Sequence, residues 1–441
     1  MRGGRTRLCQ QVRLPHQAHQ AHDAHDAHQE NYAHHTQHRH QQPHPHRLLA
    51  AAAMATVSLT AFGTLCLVGG PLPMDDILVY RAEGEAVLNG TDLYGFTVTG
   101  WDLPATYPPF AALLFVPAAV LPLGAVKILS VLANLALLAL LVRQSARLAG
   151  RSRPYGVPVL LAATGAALWL EPVFQTVVFG QVNLALACLV LWDLNRPDGA
   201  RGKGFAIGLA AGIKLTPAIF AVYLLLTGRA RAALTALGGF AATVVVGACA
   251  LPGLRENSVE FWTRRLFETT RVGKPWIVDN QSLQGLAARL LHTPDPGLLW
   301  LLPAAVAAGA GLWLARRAYV RHGLESWGVL ATAFTALLVS PVSWSHHWVW
   351  CVPLLAVLLT GRAPYWVTGA VALVFTARTL WLLPKAGDLD LRFAWWQQPL
   401  ASPYGVLGLV LAAALAWQLR PRPPSSTAVR RADSSPPGAT S

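Results

Sequence analysis

Long apolar runs recur along most of this chain, separated by short polar stretches. They lie at roughly residues 48–70, 124–142, 155–171, 181–195, 231–251, 298–316, 325–342, 348–361, 365–383 and 402–419. A helix needs about 20 apolar residues to cross a hydrocarbon core. The runs do not alternate apolar and polar residues, so they do not read as barrel strands. The pattern predicts an all-α polytopic membrane protein with about ten transmembrane helices. Two further segments are broken. Residues 108–122, PPFAALLFVPAAVLP, are interrupted by prolines and read as a re-entrant or interfacial piece. Residues 204–227 carry Lys214 and Pro217 in their middle and basic residues on both flanks. They read as a helix pair dipping in from the cytoplasm, or as one broken helix.

The loop charges orient this pattern. Arg47, Arg143 to Arg153, Arg196 to Lys203, Arg229, Arg231, Arg316 to Arg321, Arg362 and the tail from Arg420 fall on one side. Basic loops mark the cytoplasmic face. Both termini are then cytoplasmic, and the localisation expected is the plasma membrane. Three regions follow: a polar head at 1–46, a transmembrane domain at 47–420, and a Pro/Ser-rich tail at 421–441.

Composition agrees with a bilayer-embedded chain. Of 441 residues, 54% are hydrophobic and 13% charged, against about 25% charged in soluble domains. The net charge of +14 follows from the basic loops and ends, and no nucleic-acid partner is expected. Four of the five cysteines, Cys66, Cys188, Cys249 and Cys351, lie in apolar runs, with no CxxC spacing. Histidine recurs at every third position from His16 to His28. Such a tract can bind metal, but reads here as a disordered, low-complexity head.

Polar residues that interrupt the apolar pattern gather on the opposite, outer face. They are MDDILVYRAEGEAVLNGTDLYG (74–95), ATYPPF (105–110), EPVFQTVVFGQVN (171–183), RVGKPWIVDNQSLQGLAARL (271–290) and SWSHHW (343–348). Six short motifs appear in order: Asp76-Ile77-Leu78-Val79-Tyr80, Tyr107-Pro108-Pro109, GQVN (180–183), GIKLTP (212–217), NQSLQG (280–285) and SPVSWSHHW (340–348). Together they resemble glycosyltransferase family 87 over roughly residues 48–420. Its members are polyprenol-phosphate-mannose-dependent α-(1→2)-mannosyltransferases of actinobacteria with the GT-C membrane fold. The resemblance implies a polyprenyl phosphate mannose donor, a glycolipid or lipoglycan acceptor and a lipid bilayer as partners. No cofactor and no metal are expected, since the lipid-linked sugar is itself a substrate.

The resemblance also implies a catalytic aspartate, which aligns with Asp76. Inverting transfer needs one carboxylate to take the acceptor's proton, whereas a covalent retaining route needs a second one close by. Asp75, about 100° away on a helix, is expected to bind substrate at most. His346 is the second catalytic candidate, with His347 beside it. An imidazole can donate to a phosphate or orient a carboxylate, and adjacent histidines on a regular helix cannot share a pocket, so one is expected in the site and one packed away. Trp344 suits stacking on a sugar. Arg271 and Lys274 break the positive-inside pattern and suit a phosphodiester. Arg264 and Arg265 share that loop. Tyr80, Tyr107, Gln181, Asn183, Asn280 and Gln281 are candidate substrate contacts. The amides of Asn280 and Gln281 have a competing role in capping the helix that follows. Lys214, placed far from the outer face, reads as structural.

Two other functions compete. A lipid or sugar transporter would use broken helices and intramembrane charge. A metal-sensing membrane protein would work through the histidine tract. The acceptor, and mannose against another lipid-linked sugar such as arabinose, stay open.

Overall fold

In a bilayer each backbone N–H and C=O must be paired within its own segment, which favours helices wherever the chain is apolar. The computed structural model follows that rule. It describes residues 45–68, 72–151, 156–251, 253–361 and 363–420. The chain divides into two compact units, Met1–Ala50 and Ala51–Ser441, and the site lies within the second. Most of the polar head, including the histidine tract, and the tail from 421 fall outside the described residues.

Among the described residues five helices are long and apolar enough to span a membrane: Leu48–Cys66, Leu123–Leu148, Ala230–Cys249, Leu298–His322 and Tyr365–Leu382. Val157–Ala167 and Glu171–Phe179 make a sixth if counted together, though they meet at an 83° bend. Pro172 fits the break: it has no N–H to carry the ladder back to the Leu168 carbonyl, and it stands in the first turn of the second helix, after extended backbone at Leu170. Four runs expected to span form shorter apolar helices: Asn183–Leu194, Glu325–Val339, Cys351–Thr360 and Pro403–Gln418.

The two broken segments resolve differently. Residues 108–122 contain one helix, Pro109–Val120, with Pro109 in the first turn, where its missing N–H costs nothing. This helix packs against Asp75–Asn89. Contact is close because Gly84 has no Cβ: a methyl there would lie 2.7 Å from the Phe115 carbonyl oxygen.

Residues 204–227 split into helix Phe205–Ile213, a 3-10 turn Thr216–Ala218 and helix Ile219–Leu226. Lys214 sits at the break in extended backbone. Gly204, Gly208 and Gly212 recur at four-residue spacing and face the Ala230–Cys249 helix. A Cβ on Gly208 would overlap the Ala236 carbonyl, and one on Gly212 the Thr243 side chain. Small residues at this spacing let membrane helices approach closely. The close packing holds the break, and Lys214 with it, in place.

Candidate active site

The Asp75–Asn89 helix, the 101–108 loop, the Gly180 turn, the Lys214 break, the 261–279 loop and the Ser340–His347 turn enclose a cleft of about 920 Å³. Its lining includes Asp75, Asp76, Tyr107, Gln181, Lys214, Arg271, Trp344, His346 and His347. Most of the sequence's candidates therefore share one space.

Asp76, Tyr80 and Glu83 stand at i, i+4 and i+7 and so on one helix face. The first turn is pinned where the Met74 N–H donates to the Val178 carbonyl at 3.1 Å. Burial pushes the Asp76 carboxyl up to about 6, against a hydrogen bond from Gln181 and the charge of Lys214. Asp75 also lines the cleft, and burial raises its carboxyl while Lys127 opposes. Tyr80 does not reach the cleft. It is buried, with its hydroxyl 3.0 Å from both Tyr107 Oη and Gln181 Oε1. Its expected substrate contact is corrected to a support beneath Tyr107, which does line the cleft.

Both histidines reach the cleft, against the expectation of one inside and one packed. The reason is local: Ser345–His347 is a 3-10 turn entered from extended backbone at Trp344, and the two rings meet edge to face at 4.8 Å. The His346 carbonyl accepts from Thr176 Oγ1 and Asn183 Nδ2, both at 3.0 Å. Its ring stands edge-on to Phe179, and Nε2 is buried without a partner among the described residues. Burial, with Lys214 nearby, pushes the His346 ring down to about 3 and the His347 ring well below its ordinary value. Both are neutral.

Lys214 lines the cleft, against the expectation that set it far from the site. Its ammonium lies 2.9 Å from His347 Nε2 and 3.4 Å from Asn183 Oδ1, above the face of Tyr107. An ammonium only donates, so His347 Nε2 accepts and its proton sits on Nδ1. The cation faces the same cleft as Asp76. On the far side Arg271 lines the cleft, donates to the Ala105 carbonyl and stacks on Tyr94. Its Nε has no partner among the described residues. Arg265 lines the cleft too, but is held by Glu260 at 2.7 Å and Glu268 at 3.0 Å. Arg264 pairs with Glu268.

The buried Asp76 carboxyl, in a cleft also lined by a lysine and two neutral imidazoles, suits proton abstraction beside an anionic leaving group. The profile of Glycosyltransferase family 87 matches residues 105–341. The chain belongs to glycosyltransferase family 87. A polyprenol-phosphate-mannose-dependent alpha-(1-2)-phosphatidylinositol mannoside mannosyltransferase of Mycobacterium tuberculosis (strain ATCC 25618 / H37Rv) is 34% identical over 406 residues, 86% of this chain and 92% of that one. The protein of the same description from Mycolicibacterium smegmatis (strain ATCC 700084 / mc(2)155) is 36% identical over 343 residues, 70% of this chain and 76% of its own. A polyprenol-phosphate-mannose-dependent alpha-(1-2)-phosphatidylinositol pentamannoside mannosyltransferase of Mycobacterium tuberculosis (strain CDC 1551 / Oshkosh) is 36% identical over 293 residues, 65% of this chain and 67% of its own. No solved structure matches. Family membership makes the chain a membrane glycosyltransferase and does not favour the transporter.

Several candidates lie outside this glycosyltransferase's cleft. Asn280 is fully buried: Nδ2 donates to the Pro275 and Pro341 carbonyls, and Oδ1 accepts from the Ser282 and Ser343 N–H groups. Gln281, also fully buried, donates to the Val278 and Ala401 carbonyls and accepts from the Tyr404 N–H. These amides tie three segments together and leave no group for a sugar. Ser282 caps the Leu283–Leu290 helix, accepting from the Gly285 N–H at 3.2 Å. Asn183 is likewise spent on the His346 carbonyl and Lys214. Lys274 turns away to Asp388 at 2.6 Å, an exposed ion pair of little energetic weight. Trp344 keeps its place in the cleft, braced over Gly273, where a Cβ would come within 3.2 Å of the indole.

Sequence reading missed Glu83. It is completely buried, and its Oε1 accepts from the Thr106 N–H at 3.2 Å, fixing the loop that carries Tyr107. Burial pushes its carboxyl up to about 8, with Arg271 opposing. Its spacing of seven from Asp76 was the available signal.

Proposed function

We propose that this family member transfers mannose, with inversion, from polyprenyl phosphate mannose to a mannosylated lipid or envelope glycan at the outer face of the plasma membrane. Its likeness to alpha-(1-2)-phosphatidylinositol mannoside mannosyltransferases supports a phosphatidylinositol mannoside as acceptor and an α-(1→2) product. The architecture proposed is of the GT-C type with about ten crossings, the shorter apolar helices completing the set, and with both termini cytoplasmic.

The observation that carries the reading is Asp76 facing Lys214 across one cleft. In this mechanism Asp76 takes the proton of the acceptor hydroxyl. The hydroxyl oxygen bonds to the anomeric carbon, the bond from that carbon to the phosphate oxygen breaks, and its electron pair leaves on the polyprenyl phosphate. Lys214, backed by neutral His347, and Arg271 neutralise that phosphate. His346 donates to it or orients the sugar, and Trp344 offers a stacking face. A phosphate leaving group is stable as an anion, so no strong general acid is needed. A β-linked donor then yields an α-linked product. Asp75 is the other carboxylate on the same helix turn. Asp279 is paired with Lys385 at 2.8 Å and Glu268 with Arg264 and Arg265, which favours the single-base route.

The test is transfer from radiolabelled polyprenyl phosphate mannose by membranes containing this chain, with linkage analysis of the product. Label in an α-(1→2) position is expected. Transfer from a nucleotide sugar but not from the lipid-linked donor would overturn the reading.

A further inference from the structure

Gln181 stands where two tyrosine hydroxyls and a carboxylate meet. Its Oε1 lies 3.0 Å from Tyr80 Oη and 3.2 Å from Tyr107 Oη, and the two hydroxyls are 3.0 Å apart. All three side chains are at least nine-tenths buried. With Oε1 taken up by the tyrosines, Nε2 is the end left for the Asp76 carboxyl, which lines the same cleft and whose ionised form Gln181 favours. An ionised carboxylate only accepts, and an amide oxygen only accepts. The two cannot face each other, so Nε2 must face Asp76 and Oε1 the tyrosines. The hydroxyls supply the donors that lock this orientation. They are themselves held by packing: Tyr80 stacks on Phe115 with centroids 4.2 Å apart and meets Tyr107 edge-on at 5.3 Å.

We infer that Gln181, backed by Tyr80 and Tyr107, is the positioning residue of the base, holding one oxygen of the Asp76 carboxylate so that the other is free for the acceptor hydroxyl. This rests on the reading of Asp76 as base. It replaces substrate binding as the role of Gln181 and explains why two tyrosines so close to a sugar site spend their hydroxyls inward. It also links three motifs of the sequence, the D-x-x-V-Y run, Y-P-P and GQVN, through one amide.

The inference predicts a pH effect that simple packing would not produce. The groups around Asp76 are Asp75 and Glu83 on its own helix, Lys214 from the broken segment, neutral His346 and His347 from the 3-10 turn, and the two tyrosines. Only Gln181 among the neutral groups donates to the carboxylate in this arrangement, so losing it makes the ionised form harder to hold. In Gln181→Leu the acid limb of the turnover–pH profile should move up by about one pH unit, the size expected for one charge-assisted hydrogen bond. The donor KM should stay unchanged. Tyr80→Phe deletes only the hydroxyl and keeps the ring stack, so it should shift the limb in the same direction by less. It also keeps the test open should Gln181→Leu fail to fold. The assay uses the full chain in membranes, with polyprenyl phosphate mannose and an alkyl α-mannoside acceptor. A limb that stays in place while turnover falls equally at every pH would overturn the inference. Asp76→Asn is measured alongside. If it keeps normal turnover, the base reading fails; if it is inactive while the Gln181→Leu limb stays put, only the positioning role fails.

Discussion

The Lys214 ammonium donates to His347 Nε2 at 2.9 Å, joining residues 133 positions apart in the chain. The contact ties the break of the 205–226 helix pair to the double-histidine turn. One of the adjacent histidines holds the cation, and the other stands beside it with Nε2 unpartnered among the described residues.

That pairing makes Lys214 testable. Lys214→Met keeps the length and removes the charge. Loss of a charge-assisted phosphate contact costs about 1.5–3 kcal/mol, so donor use, read as kcat/KM for polyprenyl phosphate mannose, should fall roughly ten- to hundredfold. His347→Gln leaves an acceptor oxygen for the lysine and should retain more activity than His347→Phe. Equal losses in the two histidine variants would detach His347 from Lys214.

Arg271 occupies the far wall, and its guanidinium also donates to the Ala105 carbonyl. Arg271→Lys keeps the charge but loses the planar fork. It should raise the donor KM several-fold with little change in kcat, whereas Arg271→Ala should raise the donor KM further and also lower kcat, because it frees the 105–110 loop as well. Steady-state kinetics with saturating acceptor separates these. A donor KM unchanged in both variants removes Arg271 from the phosphate site.

The break that presents Lys214 depends on close helix packing. In Gly208→Val the side chain would enter the Ala236 backbone, and overpacking of this kind costs about 1–3 kcal/mol. The variant should melt earlier in detergent and lose activity. Gly238→Ala, on the partner helix but with open space at its Cβ, is the control and should behave as the parent does. A normal melting temperature for Gly208→Val would mean the helices separate without cost.

Much of this arrangement was legible in the sequence. Hydrophobic runs gave the helical membrane class, the motifs named Asp76, Tyr107, Gln181, Trp344 and one of the two histidines, and the outer-loop charge pointed to Arg271, all of which line one cleft; the second histidine was expected to pack away. Lys214 was missed because span counting placed it at depth, while the glycines at 204, 208 and 212 that signal a tightly packed broken helix went unused. Asn280 and Gln281 were misassigned for a chemical reason. A primary amide matches a sugar hydroxyl and a backbone carbonyl equally well, and spacing along the chain does not say which one it meets. Glu171 shows the same ambiguity for a carboxylate. It begins a helix near the cleft, yet accepts from Ser345, Trp381 and Tyr404 at once, so it is a buried anchor with no free oxygen for a proton.

The base itself gives the sharpest test. Asp76 must be ionised to accept a proton, and its carboxyl is pushed up to about 6, so turnover should rise with pH through about 6 and level off above it. An unperturbed aspartate would place that limb near 4. Asp76→Asn keeps the shape and cannot take the proton, so it should insert normally, bind donor and lose about 10² to 10⁴ in turnover. Asp75→Asn should lose little near neutral pH. Because the Asp75 charge raises the Asp76 carboxyl, removing it should move the acid limb slightly down, toward lower pH. The neighbours therefore differ in both size and direction of effect, although both line the cleft. A large loss at Asp75 with a mild one at Asp76 would transfer the base to the adjacent residue. Mild, equal losses at both would leave the cleft without a carboxylate base, since Glu171 and Asp279 are already committed to other partners.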